Sequence, residues 1–318
     1  ITTLTNALNT SSVTISTGTG GTQTGNITVN ANISWSANTT LTLSAAGGIV
    51  LNNNIVNSGT SSAVVLTAAG SGGISGAGNL TNSGAVTFNV NHTIGNGTLS
   101  GIISGGGSLT KAGTGWLTLS GNNTYTGDTV LYAGQLVIGS NSALGTGQLK
   151  VSYGPYVPAL NGNSSLLAAT AAPSGSQWVV SNAVALDYAP LRLGGTNPFT
   201  LSGVISSLGA GISKTGTSVV TLTGANTFSG ETIIEQGTLV FGSSQAAGGG
   251  GLALIGSGSP VAQFTAGSSI LSGGLRGSGG LVQLAPSSSL LIIQGNDAEF
   301  AGAFGVNGSA GSTANLRF

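Results

Sequence analysis

Few residues in this chain could do chemistry. Its six acids are Asp128, Asp187, Glu231, Glu235, Asp297 and Glu299, and its one histidine is His92. Paired carboxylates about 5–9 Å apart can hydrolyse a glycoside. Asp297 and Glu299, two residues apart, would share one face of a strand, although they fall in a turn of a repeat. Asp128 and Glu231 occupy equivalent repeat positions after a glycine, which suits a turn role. Glu231 and Glu235 read as solvated. His92, between Asn91 and Thr93, reads as a surface or turn residue, and no G-x-S-x-G elbow offers a nucleophile. One histidine, no cysteine and scattered acids make neither a zinc site nor an EF-hand. Gly105-Gly106-Gly107 and Gly248 to Gly251 lack the Gly-Lys-Ser/Thr of a phosphate loop. The expectation is no catalytic, cofactor or metal site.

Composition sets the elements that must hold these residues. Only 4% of the 318 residues are charged and the net charge is zero, so nucleic acid has no basic stripe to meet. A hydrophobic fraction of 39%, in short alternating runs of Val, Leu and Ile, excludes a disordered chain. The 57 glycines follow no Gly-X-Y period and there are 7 prolines, which excludes collagen. Strong helix formers are scarce, whereas Thr, Val and Ile suit pleated surfaces. No apolar run of about 18 residues could span a membrane as a helix. A chain without cysteine suits export in the unfolded state, with long hydrogen-bonded sheets in place of disulfides. It starts at Ile1 without a signal peptide and reads as a processed or excised fragment.

Repeats organise the strands. Lys111 to Ser140 aligns without a gap on Lys214 to Ser243. Lys111 matches Lys214, Gly121 matches Gly224, Tyr125 matches Phe228, and Gly134 matches Gly237. A looser third copy, from Leu271 to Gly302, puts Phe300 at the Tyr125 position. Leu117 and Leu119 share one face and Thr118 and Ser120 the other, the mark of a strand with one buried side. Gly121-Asn122-Asn123 then turns the chain. These units predict an all-β solenoid with coils of about 20–25 residues. At a stacking distance of about 4.8 Å, roughly 13–15 coils are expected. Lys111 and Lys214 read as ammonium groups bonding turn carbonyls, the alternative being a charge ladder for an anionic ligand. Tyr125, Phe228 and Phe300 read as core or corner packers. The interval 153–190 departs most, with Pro155, Pro158, Pro173 and Pro190. Proline suits central strands poorly, so loops or irregular coils are expected there. Loops on a rigid scaffold are where binding sits, which makes Tyr153, Tyr156 and Trp178 the candidate ligand contacts.

The segment from Gly107 to Leu136, with its K-x-G-T-G-x-L-x-L-S-G-x-N-T-Y-x-G-x-T core, resembles the autotransporter-associated β-strand repeat. Residues 211–239 are similar to it, departing at Ser218 and Val219. Gly25-Asn26-Ile27-Thr28-Val29 and Ile33-Ser34-Trp35-Ser36 are similar to repeats of filamentous-haemagglutinin-type exoproteins. These resemblances imply a right-handed parallel β-helix and type V secretion through an outer-membrane transporter. The destination they imply is the cell surface or the extracellular space. One solenoid is expected over 1–318: haemagglutinin-like coils in 1–98, two autotransporter-type repeats in 99–243, and a degenerate third in 244–318.

Three functions compete. The first is a non-catalytic structural or adhesive fibre, surface-exposed or matrix-forming. It would self-associate end to end or laterally into filaments, since solenoid ends expose strand edges and no charged capping helix is visible. The second is an adhesin that meets a host or polysaccharide ligand through the 153–190 loops. The third is a polysaccharide-degrading β-helix enzyme, which needs Asp297, Glu299 and an arginine in one cleft.

Overall fold

The structure is a computed structural model that describes residues 1–18, 24–90, 96–153, 166–285, 290–294, 300–306 and 315–317. Two compact units divide the chain, Ile1–Ser165 and Leu166–Phe318. Their boundary falls inside the interval in which the prolines predict irregular coils. Within that interval Leu166–Ala169, Trp178–Val180 and Val184–Asp187 are regular strands, and Pro155 and Pro158 lie outside the described residues. Each unit is a parallel β-solenoid, and the chain makes about 11 turns. This is fewer than the roughly 13–15 coils expected from the repeats.

In the first unit every coil contributes to up to three parallel sheets. One sheet stacks Val13–Ser16, Thr40–Ala45, Ala63–Ala68, Val86–Val90, Leu109–Ala112, Thr129–Leu131 and Leu149–Ser152. Its ladders put like on like: Leu41 pairs with Val64, Val64 with Val86, and Val86 with Leu109. All four are buried. A second sheet includes Asn96–Leu99, Trp116–Leu119 and Gln135–Ile138. Leu117 and Leu119 face the core there and Trp116 faces water, as the alternation predicts. The third sheet, Ile33–Trp35, Ile55–Asn57, Leu80–Thr81 and Ile103–Ser104, shortens and then ends. Stacking continues past it: the Thr124 amide donates to the Ile103 carbonyl at 2.9 Å and the Thr126 amide to Gly105 at 3.0 Å.

Asparagine side chains extend the ladders through the turns. The Oδ1 atoms of Asn32, Asn54 and Asn79 accept the amides of Asn54, Asn79 and Ile102, each one coil on. A short helix, Thr2–Leu8, covers the first coil. Leu8 is fully buried, and the Ser36 amide donates to Asn9 Oδ1 at 3.0 Å. The cap carries no charge, so it left no mark in charge patterning.

The second unit repeats the plan. Trp178–Val180, Phe199–Leu201 and Val219–Leu222 stack in register, as do Leu191–Leu193 and Ile212–Lys214. The long strand Thr232–Phe241 serves two sheet positions, with a register shift on either side of Gln236. Phe241 stacks on Phe264 at a centroid distance of 4.7 Å.

Close stacking explains the glycines. A Cβ on Gly107 would sit 1.4 Å from the Gly84 carbonyl oxygen, one coil back, whereas on Gly106 it would meet nothing nearer than 3.5 Å. We expect Gly107→Ala to destabilise the first unit by about 1–3 kcal/mol, the usual cost of overpacking, and Gly106→Ala to change it little. Urea midpoints of the two variants check this; equal midpoints would refute the stacking argument.

Candidate functional site

The residues the repeats share converge on one turn. Lys111 occupies a core-facing position, paired in register with Leu131. Its side chain is fully buried and its ammonium donates to the carbonyls of Ala112 (2.7 Å), Gly113 (2.7 Å) and Ala133 (3.2 Å). Lys214 does the same with Thr215 (2.9 Å), Gly216 (2.7 Å) and Gln236 (3.2 Å). Two carbonyls belong to the lysine's own turn and one to the next coil, so each ammonium clasps two coils. Gly134 and Gly237 shape the second coil's turn, at φ +74° and +73°. A Cβ on Gly134 would lie 2.5 Å from the carbonyl oxygens of Gly113 and Gly115.

Burial pushes Lys111 down to about 7 and Lys214 down to about 8. Three carbonyl acceptors favour the charged form and oppose that shift. A lowered lysine pKa can activate a nucleophile, but both residues have no exposed surface and a full set of acceptors. The clasp therefore has structural rather than chemical capability.

Asn123 and Asn226 stitch the opposite corner. Asn123 Oδ1 accepts the Ile103 amide at 2.8 Å, and its Nδ2 donates to the Ala143 carbonyl at 2.7 Å. Asn226 links Ile205 and Ala246 at the same distances. Each spans three coils. Sequence reasoning read Asn123 only as part of a turn and passed over Asn226, although their shared repeat offset was the signal. Beside them, Ser140 and Ser243 donate to the carbonyls of Gly121 and Gly224.

Tyr125 and Phe228 are buried at matching positions. The Tyr125 hydroxyl lies 2.5 Å from Thr129 Oγ1, and burial pushes the phenol well above its usual range, with the Thr129 bond opposing. Phe228 has no hydroxyl, and Thr232, the counterpart of Thr129, is buried with an unpartnered Oγ1. Phe300 departs from the pair: it is half-buried and meets Phe304 edge-on.

Asp128, Glu231 and Glu235 serve coil-to-coil contacts at the surface. Asp128 pairs with Lys150 at 2.6 Å, and that bond holds its carboxyl below the ordinary value. Glu231, read from sequence as solvated, takes a bidentate bond from Arg276, Nε at 2.6 Å and Nη2 at 2.5 Å. Glu235 accepts from Ser213 at 2.7 Å and, with Arg192 and Gln236, lines a groove of about 740 Å³. Among the described residues no three potential ligands gather to hold a metal. Asp297, Glu299, His92 and Tyr156 lie outside the described residues. Tyr153 is 57% exposed in the first unit. Trp178 belongs to the second unit, half-buried, its indole donating to Thr170 Oγ1 at 3.1 Å.

The clasp, the asparagine stitch and the aromatic corner all fall in two segments, and a model of the passenger-associated transport repeat matches those segments, 109–138 and 212–241. The adhesin BmaC autotransporter of Brucella suis biovar 1 (strain 1330) is 31% identical over 97 residues, 30% of this chain. This chain spans 3% of that relative's length. No solved structure matches it. Passenger repeats and an adhesin relative point to a secreted, cell-surface protein.

Two predictions follow from the repeats. Phe228→Tyr should supply Thr232 with a partner and stabilise the second unit by about 1 kcal/mol, and Tyr125→Phe should cost the first unit a similar amount; denaturant midpoints of both variants report this. The lysines predict a pH dependence. Their folded pKa lies below the unfolded value of 10.5, so the unfolded chain binds more protons between about pH 7 and 10.5, and stability rises with pH there. The penalty is fully present below pH 7. Melting Lys111→Met, Lys214→Met protein across this range should show a flatter profile than the parent.

Proposed function

We propose that this chain is a non-catalytic, adhesive stretch of a secreted passenger, a stacked scaffold that presents turns to another surface. One observation carries the reading. In both repeats the buried lysine and asparagine are consumed by coil-to-coil bonds, and the tyrosine of the first repeat is taken up by Thr129. None is left facing a cleft, as a reacting group must. The adhesin relative supports the same reading from sequence.

A scaffold of this kind suits adhesion physically. Its backbone donors and acceptors are satisfied by neighbouring coils, and its exposed faces are rows of Ser, Thr and Asn hydrogen-bonding groups. Fibre formation is a further part of the proposal. The uncharged helix over the first coil argues against joining at that edge, which favours lateral contact.

Adherence of beads coated with the whole chain is the direct test. Coated beads are expected to bind bacterial or host cell layers at several times the level of albumin-coated beads, and a hydrolase screen on the same surfaces should release no sugar. Adherence no better than albumin would refute the adhesive reading. Sugar release would refute the non-catalytic one.

A further inference from the structure

Two side chains of the second unit stand in water with almost no packing role. Leu208 is 83% exposed and Tyr188 is 75% exposed, the two highest values among the large apolar residues described. Tyr188 also holds φ at +60°, a left-handed conformation that costs an ordinary residue about 1–2 kcal/mol. The adjoining turn one coil on uses Gly209 at φ +105°. The matching turn of the first repeat reads Ser104-Gly105-Gly106-Gly107, where the second unit has Ser206-Ser207-Leu208-Gly209. Glycine would thus serve the backbone at both tips. Folding accounts for neither side chain, and backbone strain observed at an exposed residue is a reason to look for function.

The surroundings specify a ligand. Tyr188 and Leu208 line a concavity of about 570 Å³ with Asp187, Ser206, Ser207 and Thr227. That volume lies in the range of small-molecule sites. Its polar edge is rich in acceptors. Asp187 is exposed and belongs to neither ion pair of the described residues. Ser206 already donates to the Val184 carbonyl, and Ser207 donates to Ala210, so their free lone pairs accept. The site therefore offers an aromatic face, an aliphatic wall and a row of acceptors. A pyranose ring is complementary to all three, with a C–H face for the tyrosine and hydroxyl donors around its edge. An anionic sugar is disfavoured, because Asp187 would face a like charge.

We propose that Tyr188, Leu208 and Asp187 form a binding site for a pyranose unit of a neutral or amino-substituted polysaccharide. This rests on the adhesive reading and moves the contact surface from Tyr153, Tyr156 and Trp178 to the turn that closes the same interval.

Affinity gel electrophoresis of the whole chain tests it, with dextran, hydroxyethyl cellulose and glycol chitosan as probes and polygalacturonate as the anionic arm. Retention is expected in at least one of the first three and not in polygalacturonate. Tyr188→Gly and Leu208→Gly should each weaken it tenfold or more. Thermal midpoints should stay level or rise in Tyr188→Gly, since glycine accepts this φ without strain; loss of binding then cannot be loss of fold. Asp187→Asn should weaken retention by glycol chitosan most. Equal retention of the parent and Tyr188→Gly overturns the site. So does retention by polygalacturonate alone, or binding to a lysine-rich peptide and to no polysaccharide. If no gel retains the parent while its coated beads still adhere, the site is wrong and the adhesive reading stands. If the beads fail as well, both fall.

Discussion

Coil on coil, at the spacing of hydrogen-bonded strands, is the constraint from which the rest of this protein follows. Neighbouring strands lie about 4.8 Å apart, and here each neighbour is the same chain 19 to 28 residues later. A side chain that points out of the sheet has room; an atom that points along the stack does not. This is why Gly84, Gly107, Gly127 and Gly147 follow one another from coil to coil, each with backbone of the preceding coil within 2.5 Å of its missing Cβ. It also explains the composition. A chain built this way needs small residues at fixed intervals, short β-branched runs between them, and few charges.

The same spacing governs the polar interior. Turns leave carbonyls and amides that the sheets do not pair, and a buried unpaired group costs about 1–3 kcal/mol. Lys111 and Lys214 meet that need with three donors, and Asn123 and Asn226 meet it with a donor at one end and an acceptor at the other. Ionisable groups with displaced pKa values often mark active sites. Here the displacement has another source. A lysine in a core position is the longest reach available to a turn whose carbonyls face inward, and desolvation accompanies that placement. The unpartnered Thr232 hydroxyl shows how narrow the arrangement is, since its counterpart Thr129 has both the Tyr125 hydroxyl and the Leu144 carbonyl within reach.

Much of the fold was legible in the sequence because solenoid physics is periodic. Leu117 and Leu119 announced a buried face by alternation, and the ungapped match of 111–140 to 214–243 announced the coil. The inward lysines were legible as carbonyl partners, since a charge recurring in register among apolar strands has few other uses. What escaped was whatever the period does not repeat. The helix over the first coil occurs once, in a Thr-rich stretch of modest helix propensity, and is held by burial of Leu8 rather than by any local signal. Glu231 found Arg276 two coils on, a separation outside the one-coil rhythm. Tyr188 and Leu208 were invisible for a different reason. Their significance lies in backbone conformation and exposure, and neither is encoded in spacing.

This division bears on where specificity can reside in such a chain. Core positions are tied to the stack, and outward sheet positions are held in the ladder of coil on coil, with Thr42, Val65, Thr87, Thr110, Val130 and Lys150 following one another in register. Turn tips are freer. A tip touches at most the tips above and below it, and the coil closes whether the tip is Gly106 or Leu208. Recognition can therefore be placed on tips without disturbing the stack, provided the strain is small, as one residue at φ +60° is. A scaffold whose interior lysines and asparagines are committed to holding it together leaves its exposed, aperiodic turns as the part able to recognise something else.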